Sequence, residues 1–238
     1  MTSPTRPSPE QLSRDRPIQT PGIILSEGRT LEIFLRELIE KDLDLKDQVE
    51  ARTFGDKEAA NLRLFLNAFA TKAEFRQRVR RLGIVRDAEA DDALKAFESV
   101  ISAIQGFNAE NPSFALAVPE RISVLTAVRQ NEPQVGVFVL PDGSNPGMLE
   151  TLCLNAIEEM EQTAPAKLLP CVNEFFECLN QRGRQPANPP KARLAGYALA
   201  ADVIDPQLGR AAQQGAIPWQ AKAFEPLKAF VRSIAGQV

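Results

Sequence analysis

Short apolar runs alternate with segments of helical periodicity along the first two thirds of the chain. The helical segments repeat apolar residues at the spacing of one buried helix face, whereas the apolar runs between them are short. This alternation is typical of βαβ units, in which helices connect parallel strands. We therefore predict an α/β fold with a mainly parallel central sheet flanked by helices. The predicted strands are GIILSE, QVEARTF, RLGIVRDAE and VGVFVLP, with RISVLTAV (121–128) as a further candidate.

The composition divides the chain into three parts. Residues 1–21 hold five of the 18 prolines and lack apolar periodicity, so we expect a flexible, Pro-rich leader. Residues 22–160 carry the alternation and are predicted to form the α/β core. Residues 161–238 are mostly helical in pattern, and we expect a helical extension packed on the core, with a proline-rich loop near Pro186.

Several classes of protein are excluded or disfavoured by composition. The chain contains no histidine, which excludes imidazole bases, Ser-His-Asp triads and histidine-ligated metals. Its net charge of −3 predicts no strong unaided attraction to nucleic acid. The sequence has neither a membrane-length apolar stretch nor a secretory signal, so we expect a cytoplasmic protein that does not enter a membrane. Cys153, Cys171 and Cys178 form no CxxC pair, and we expect free, buried thiols.

Acidic residues follow three of the predicted strands. Glu27 ends the first run, Asp87 and Glu89 end the RLGIVRDAE run, and Asp142 and Glu150 follow VGVFVLP. The carboxyl ends of parallel strands meet at one edge of a sheet, so these side chains can converge. Clustered carboxylates repel one another unless a cation neutralises them, and Mg²⁺ prefers oxygen ligands. The pattern predicts a divalent metal site, most simply one for Mg²⁺.

Two other interpretations stay open at this stage. Asp91, Asp92 and Glu150 stand where acidic residues often cap helices or lie favourably beside the helix dipole. Alternatively, Asp87 would accept a phosphoryl group, as in a phosphoreceiver domain. That second interpretation predicts an acidic pair near the first strand, whereas Glu27 stands alone there.

Three segments of the sequence resemble the motifs of TOPRIM domains. IILSEGRTLEIFLRELI resembles the first motif, in which a glutamate followed by glycine ends a strand. GIVRDAEAD resembles the second, Asp-x-Asp motif, and LPDGSNPGMLETLCLNAI resembles the acidic third region of nucleases related to the overcoming-lysogenisation-defect proteins. The resemblance covers roughly residues 22–160 and points to an uncharacterised bacterial branch, with KARL and PWQAKAFEPLKAFVR extending it.

The resemblance implies Mg²⁺- or Mn²⁺-dependent phosphoryl transfer on nucleic acid, as in a nuclease. Glu27 would be a metal ligand or a general acid/base, and Asp87 would be the leading metal ligand. Glu89 stands where the motif usually has aspartate. Its side chain is longer than that of aspartate, which leaves open whether one or two metals bind. Glu150 would be the third-region ligand. Carboxylates that hold such metals can support phosphodiester hydrolysis without an imidazole.

Basic residues near the C-terminal third complete the predicted site. Lys191 is a looser match to a late basic residue that would steady a developing phosphate charge. Arg182, Arg184 and Arg193 would bind the phosphate backbone, or else remain a solvated surface. Partners implied by the resemblance are DNA or RNA and a separate ATPase, and a homodimer also stays open. The competing hypothesis is a non-catalytic TOPRIM-like scaffold that binds a partner ATPase or nucleic acid.

Overall fold

The computed structural model of this protein describes residues 15–55, 59–90, 92–130, 132–165, 167–203 and 207–237. Within these ranges, four parallel strands form one sheet. In chain order they are β1 (Gly22–Glu27), β2 (Val49–Gly55), β3 (Arg81–Asp87) and β4 (Gln134–Leu140), and in space they lie in the order β2-β1-β3-β4. The predicted α/β class and the parallel sheet are confirmed.

Helices connect the strands and fill the C-terminal third. The first helix, α1 (Gly28–Glu37), continues directly into a π-helical turn, Leu38–Asp42. The C-terminal third is helical, as the sequence pattern predicts. The remaining helices are α2 (Ala59–Ala70), α3 (Ala73–Arg78), α4 (Ala93–Glu110), α5 (Leu149–Glu161), α6 (Leu169–Gln181), α7 (Pro189–Ala200), α8 (Leu208–Gln213), a 3₁₀ turn (Lys222–Phe224) and α9 (Glu225–Ala235).

Each face of the sheet carries its own hydrophobic core. Helices α2, α3 and α4 cover one face, where Phe69 and Phe107 are fully buried beside the sheet residues. Helices α1, α5 and α9 cover the other face, where Phe34 and Phe224 are fully buried. Strands enclosed on both sides explain why the strand sequences read as nearly continuous apolar runs.

Helix α9 lies directly on a row of glycines in the sheet. A Cβ atom on Gly83 would lie 3.0 Å from Cγ1 of Ile234 and 3.1 Å from Cε1 of Phe230. A Cβ on Gly136, the register partner of Gly83, would lie 3.0 Å from Cε2 of Phe230. The glycines therefore let the helix approach closely, and the C-terminal helical segment packs on the core as one of its two layers.

Residues 15–21 differ from the expected leader, because they pack on the core. Ile18 is only 2% exposed and belongs to the core on the α2 side. The guanidinium of Arg52, which is fully buried, donates hydrogen bonds of 2.7 Å to the carbonyl oxygens of Arg16 and Pro17. The buried cation needs these acceptors, which holds the segment in place. Residues 1–14 of the predicted leader lie outside the described ranges.

The candidate strand 121–128 is not a strand in the structure. The segment runs along the outer side of β4, where the N–H groups of Ser123 and Thr126 donate to the carbonyl oxygens of Val137 and Val135 at 2.7 and 2.9 Å. Ser123 has a φ of +62°, which interrupts the extended conformation that regular pairing needs. The segment thus covers the edge of the sheet without joining it.

All three cysteines are free, as predicted, but only Cys153 is buried. Cys153 is buried in the core, and burial raises the pKa of its thiol well above the ordinary value. Cys171 and Cys178 are free but exposed, because they lie on the outer side of α6 while Leu169 and Val172 face inward. Separately, no helix in the described ranges is both long and apolar enough to cross a membrane.

Candidate functional site

The C-terminal ends of β1 and β3 place Glu27 and Asp87 at the same edge of the sheet. The two strands are parallel neighbours, with Ser26 beside Val85 in the last pair of their register. Gly28, with a φ of +73°, follows Glu27 and turns the chain from β1 into α1. Only glycine adopts this left-handed conformation without steric cost, which explains the Glu-Gly pair. The predicted meeting of these two strand ends is therefore present.

The end of β3 is joined to the beginning of α5. An oxygen of the Asp87 carboxylate accepts a hydrogen bond of 2.9 Å from the backbone N–H of Leu149, the first residue of α5. Two backbone bonds, from Ala88 to Leu140 and from Glu89 to Gly147, fasten the intervening loop beside β3. A helix N-terminus carries unsatisfied N–H groups and a partial positive charge, so it favours an acidic group at this position.

Asp87 titrates unusually because of its surroundings. Burial is the main cause that raises its pKa from 3.8 to about 7, and the charges of Glu150 and then Glu27 raise it further. The hydrogen bond from Leu149 lowers the pKa of Asp87. The charge of Glu89 raises this pKa and is the smallest of these contributions. The other three acids of the predicted metal set therefore lie near enough to Asp87 to affect its proton affinity.

Glu27 is paired with an arginine that the sequence analysis did not anticipate. Its Oε2 lies 3.4 Å from Nε of Arg86, and both side chains are largely buried. Arg86 also donates a 3.0 Å hydrogen bond to the hydroxyl of Ser99 on α4. The last pair in the register of β1 and β3, Ser26 with Val85, directly precedes these two residues. No local pattern signals this pair, because the register is a property of the assembled sheet.

Glu89 occupies a sharp turn after β3. Its φ of +59° lies in the left-handed region that glycine and asparagine prefer, and its N–H donates to the carbonyl of Gly147 at 2.6 Å. A non-glycine residue held in this conformation is strained by an amount on the order of 1 kcal/mol, and such strain often occurs at functional sites. Glu89 thus bends the chain back across the loop that precedes α5.

The other strand-end acids have structural roles. Asp92 caps α4 by accepting a 2.9 Å hydrogen bond from the N–H of Lys95, which confirms the capping interpretation for this residue. Asp142 forms a turn with Ser144 and Asn145. Partial burial alone would raise the pKa of Asp142, but hydrogen bonds from these two residues outweigh burial and lower it. Asp91 lies outside the described residues.

The carboxylates do not form a preassembled metal cage. In the ranges that the structure describes, no group of three or more His, Cys, Asp or Glu residues is close enough to hold a metal ion. The other three acids lie close enough to Asp87 to affect its pKa. The negative charge of Glu27 is already partly balanced by Arg86. Mg²⁺ commonly takes one or two carboxylates and completes its shell with water and phosphate, so the donor set suits this ion better than one that needs a full protein cage.

Lys191 lies in the first turn of α7, near the N-terminus of α5. Asn188 caps α7 by accepting a 3.0 Å hydrogen bond from the N–H of Lys191. The amide nitrogen of Asn188 lies 3.5 Å from Sδ of Met148, which precedes the first residue of α5. The Lys191 side chain is exposed, and within the described part of the chain no ion pair joins it to the four acids.

The predicted phosphate-binding arginines are divided between two environments. Arg184 and Arg193 line one cavity of about 390 Å³ between α6 and α7. The guanidinium of Arg193 donates hydrogen bonds of 3.0 and 2.6 Å to Oδ1 of Asn173. Arg182 is not among the residues that line this cavity, and it donates to the carbonyl oxygen and the sulfur of Cys178.

These features define a parallel α/β protein with a cluster of carboxylates at the C-terminal edge of its sheet. The family described as "Protein of unknown function (DUF3226)" matches residues 21–236, which is nearly all of the chain, and the protein belongs to this family. Comparisons with curated proteins and with solved structures gave no significant match.

Proposed function

We propose that this protein is a TOPRIM-like, Mg²⁺-dependent nuclease or a related phosphoryl-transfer enzyme that acts on nucleic acid. One observation carries the proposal: Glu150 and Glu27, from α5 and β1, act together with burial on Asp87 at the end of β3 and raise its pKa to about 7. A folded protein gains no stability from gathering acids in this way. Perturbed carboxylates at the ligand-binding edge of a parallel sheet are therefore a mark of a functional site.

Mg²⁺ is the cofactor that best fits the donor set, with Mn²⁺ as its substitute. The donors are hard carboxylate oxygens, and the chain offers no imidazole. Asp87 and Glu150 would hold the ion, with Glu89 and Glu27 beside them. When bound, such an ion lowers the pKa of a water molecule and neutralises charge on the leaving oxygen.

The residues of the chain have distinct roles in this proposal. The hydrogen bond from Leu149 fixes the orientation of Asp87, and Arg86 holds Glu27 at the edge of the sheet. During hydrolysis, a water oxygen bonds to phosphorus while the bond from phosphorus to the leaving oxygen breaks. The proton of the water passes to the Glu27 carboxylate, and Lys191 steadies the phosphate charge.

Two specific observations favour a second candidate, a non-catalytic scaffold of the same fold. The Arg86–Glu27 pair partly neutralises the first-motif carboxylate, and the described residues contain no three-ligand group. A scaffold would bind nucleic acid or a separate ATPase without catalysis. In either case we propose that the protein acts in the cytoplasm, with an ATPase or a second copy of the chain as candidate partners.

A cleavage assay distinguishes the two candidates. The wild-type protein, Asp87→Asn and Asp47→Asn are incubated with DNA and RNA substrates, each with Mg²⁺, Mn²⁺ or EDTA. Asp47 precedes β2 and therefore lies at the N-terminal end of the strands, opposite the site. Asp47→Asn makes the same chemical change as Asp87→Asn, but away from the site. The nuclease proposal expects metal-dependent cleavage that Asp87→Asn lowers by about a hundredfold or more and Asp47→Asn leaves unchanged. Equal cleavage by all three proteins, or none by any, contradicts it.

A further inference from the structure

The cavity between α6 and α7 combines positive charge with an apolar wall. Arg184 and Arg193 supply two positive charges against one negative charge from Glu177, and apolar surface comes from Phe176, Pro186 and Pro189. The volume of about 390 Å³ is at the lower end of the range for small-molecule sites and is ample for one nucleobase with its sugar. Guanidinium groups can bind a phosphate, and an aromatic ring beside them can stack on the attached base.

Contacts between the two helices hold Arg193 and Phe176 in position. Asn173 on α6 orients the guanidinium of Arg193 on α7 through two hydrogen bonds. A Cβ atom on Gly196 would lie 3.4 Å from the ring of Phe176, so this glycine lets α7 pack closely against the ring. A binding surface that is fixed before the ligand arrives loses less conformational entropy on binding.

A chain of contacts links the cavity to the carboxylate site. Pro189 lines the cavity and follows Asn188, whose amide contacts the Met148 sulfur at 3.5 Å. The next residue, Leu149, donates its N–H to Asp87. A strand of nucleic acid whose phosphodiester lies at the carboxylates can therefore extend toward the start of α7.

We propose that this cavity binds one unstacked nucleotide of a single-stranded nucleic acid, with Arg184 and Arg193 on phosphate and Phe176 against the base. A base inside a duplex is stacked on both sides and cannot enter a recess between two helices. The substrate class is accordingly single-stranded DNA or RNA, or a single-stranded end. This inference rests on the proposed function, because it uses the chain of contacts between the cavity and the carboxylate site.

Binding is tested by fluorescence anisotropy with labelled oligonucleotides, in EDTA so that no cleavage occurs. The probes are a twelve-nucleotide DNA, an RNA of the same sequence and the blunt DNA duplex. The variants are Arg184→Gln, Phe176→Leu and Arg210→Gln. Arg210 is an exposed arginine on α8, so Arg210→Gln removes the same charge outside the cavity. Leucine keeps an apolar side chain of somewhat smaller volume and removes the aromatic face of Phe176.

We expect the wild-type protein to bind a single strand about tenfold more tightly than the duplex. Arg184→Gln and Phe176→Leu should each raise the dissociation constant for the single strand about fivefold, whereas Arg210→Gln should change it less than twofold. Arg184→Gln should also reduce the slope of log Kd against log salt by about 0.7, the loss of one phosphate contact. Comparison of the DNA and RNA probes identifies the sugar that is preferred.

Duplex binding as tight as single-strand binding overturns the inference, as does an equal effect of Arg184→Gln and Arg210→Gln. The same variants in the cleavage assay separate this failure from a failure of the proposed function. Metal-dependent cleavage that is insensitive to Arg184→Gln and Phe176→Leu contradicts the cavity assignment alone. Single-strand binding that depends on Arg184, without any Asp87-dependent cleavage, contradicts the nuclease function and leaves the cavity as a binding site.

Discussion

The backbone N–H of Leu149 donates a 2.9 Å hydrogen bond to the carboxylate of Asp87, although the two residues are 62 positions apart in the sequence. This bond joins the C-terminal end of β3 to the first residue of α5. It also places Glu150 beside Asp87, where the charge of Glu150 raises the pKa of Asp87. The arrangement has consequences for stability, metal binding and activity that can be measured separately.

Asp87→Asn should stabilise the metal-free protein more at pH 8 than at pH 5. The pKa of Asp87 is about 7 in the folded state against an ordinary 3.8, so the folded state binds the proton more tightly than the unfolded state. The resulting stabilisation is present at low pH and is lost as pH rises through about 7. Between pH 5 and pH 8 the advantage of Asp87→Asn in free energy of unfolding should grow by about 2 to 3 kcal/mol.

Urea denaturation at both pH values measures this change, and Asp47→Asn is the matched control. Asparagine retains an oxygen that accepts the Leu149 hydrogen bond, so the comparison reports mainly the charge. A difference between the two variants that does not vary with pH would show that Asp87 is not perturbed.

Addition of 10 mM MgCl₂ should raise the midpoint of thermal unfolding of the wild-type protein, more at pH 8 than at pH 6. The ion competes with the proton on Asp87 and neutralises its acidic neighbours. With a dissociation constant near 1 mM, the gain in stability is about 1.4 kcal/mol, or a shift of roughly 3 °C. Differential scanning fluorimetry measures it, with NaCl at equal ionic strength as the control. An equal shift in Asp87→Asn would mean that the ion binds elsewhere.

Arg86→Gln should destabilise the protein by about 3 kcal/mol, because it removes the cation that lies 3.4 Å from the largely buried Glu27 carboxylate. The double variant Arg86→Gln/Glu27→Gln should recover much of this loss in a double-mutant cycle monitored by urea denaturation. If the site binds Mg²⁺, the ion should stabilise Arg86→Gln more than the wild-type protein. Under the scaffold hypothesis, Mg²⁺ should have no such selective effect.

Gly83→Ala should cost about 1 to 3 kcal/mol of stability, because the added methyl group lies 3.0 Å from Ile234 and 3.1 Å from Phe230. Ile234→Val removes the Cδ1 atom that lies 3.1 Å from the added methyl group. The cost of the double variant should therefore be smaller than the sum of the two single costs, as measured by thermal and urea unfolding. Strict additivity would show that α9 does not approach the sheet this closely in solution.

The fold class was predictable because hydrophobic periodicity is local. The runs around Ile24, Ile84 and Val137 alternate with helical segments, and each strand that they predict is present in the sheet. Segment 121–128 was misread because its apolar content matches a strand, while the interruption at Ser123 depends on how it lies against β4. Ile18 was missed because an isolated apolar residue among prolines shows no periodicity, yet it fills a gap in the core.

The candidate site was predictable in outline for the same reason. Glu27 and Asp87 directly follow predicted strands, and the rule that parallel strands share a carboxyl edge brings them together. The Arg86–Glu27 pair was not predictable, because the register of β1 and β3 decides it. The division of Arg182 from Arg184 and Arg193 likewise follows from the packing of α6 against α7.

By itself, the sequence determined the secondary structure, the parallel α/β class and the residue types available for chemistry. These properties follow from apolar spacing and composition, which act over a few neighbouring residues. Tertiary structure alone decided which charges meet, which are paired and which are buried. Those outcomes depend on strand register and on helix packing, which bring together residues as far apart in sequence as Asp87 and Leu149. Once acidic groups lie close together and are buried, their electrostatic interaction shifts the pKa of Asp87.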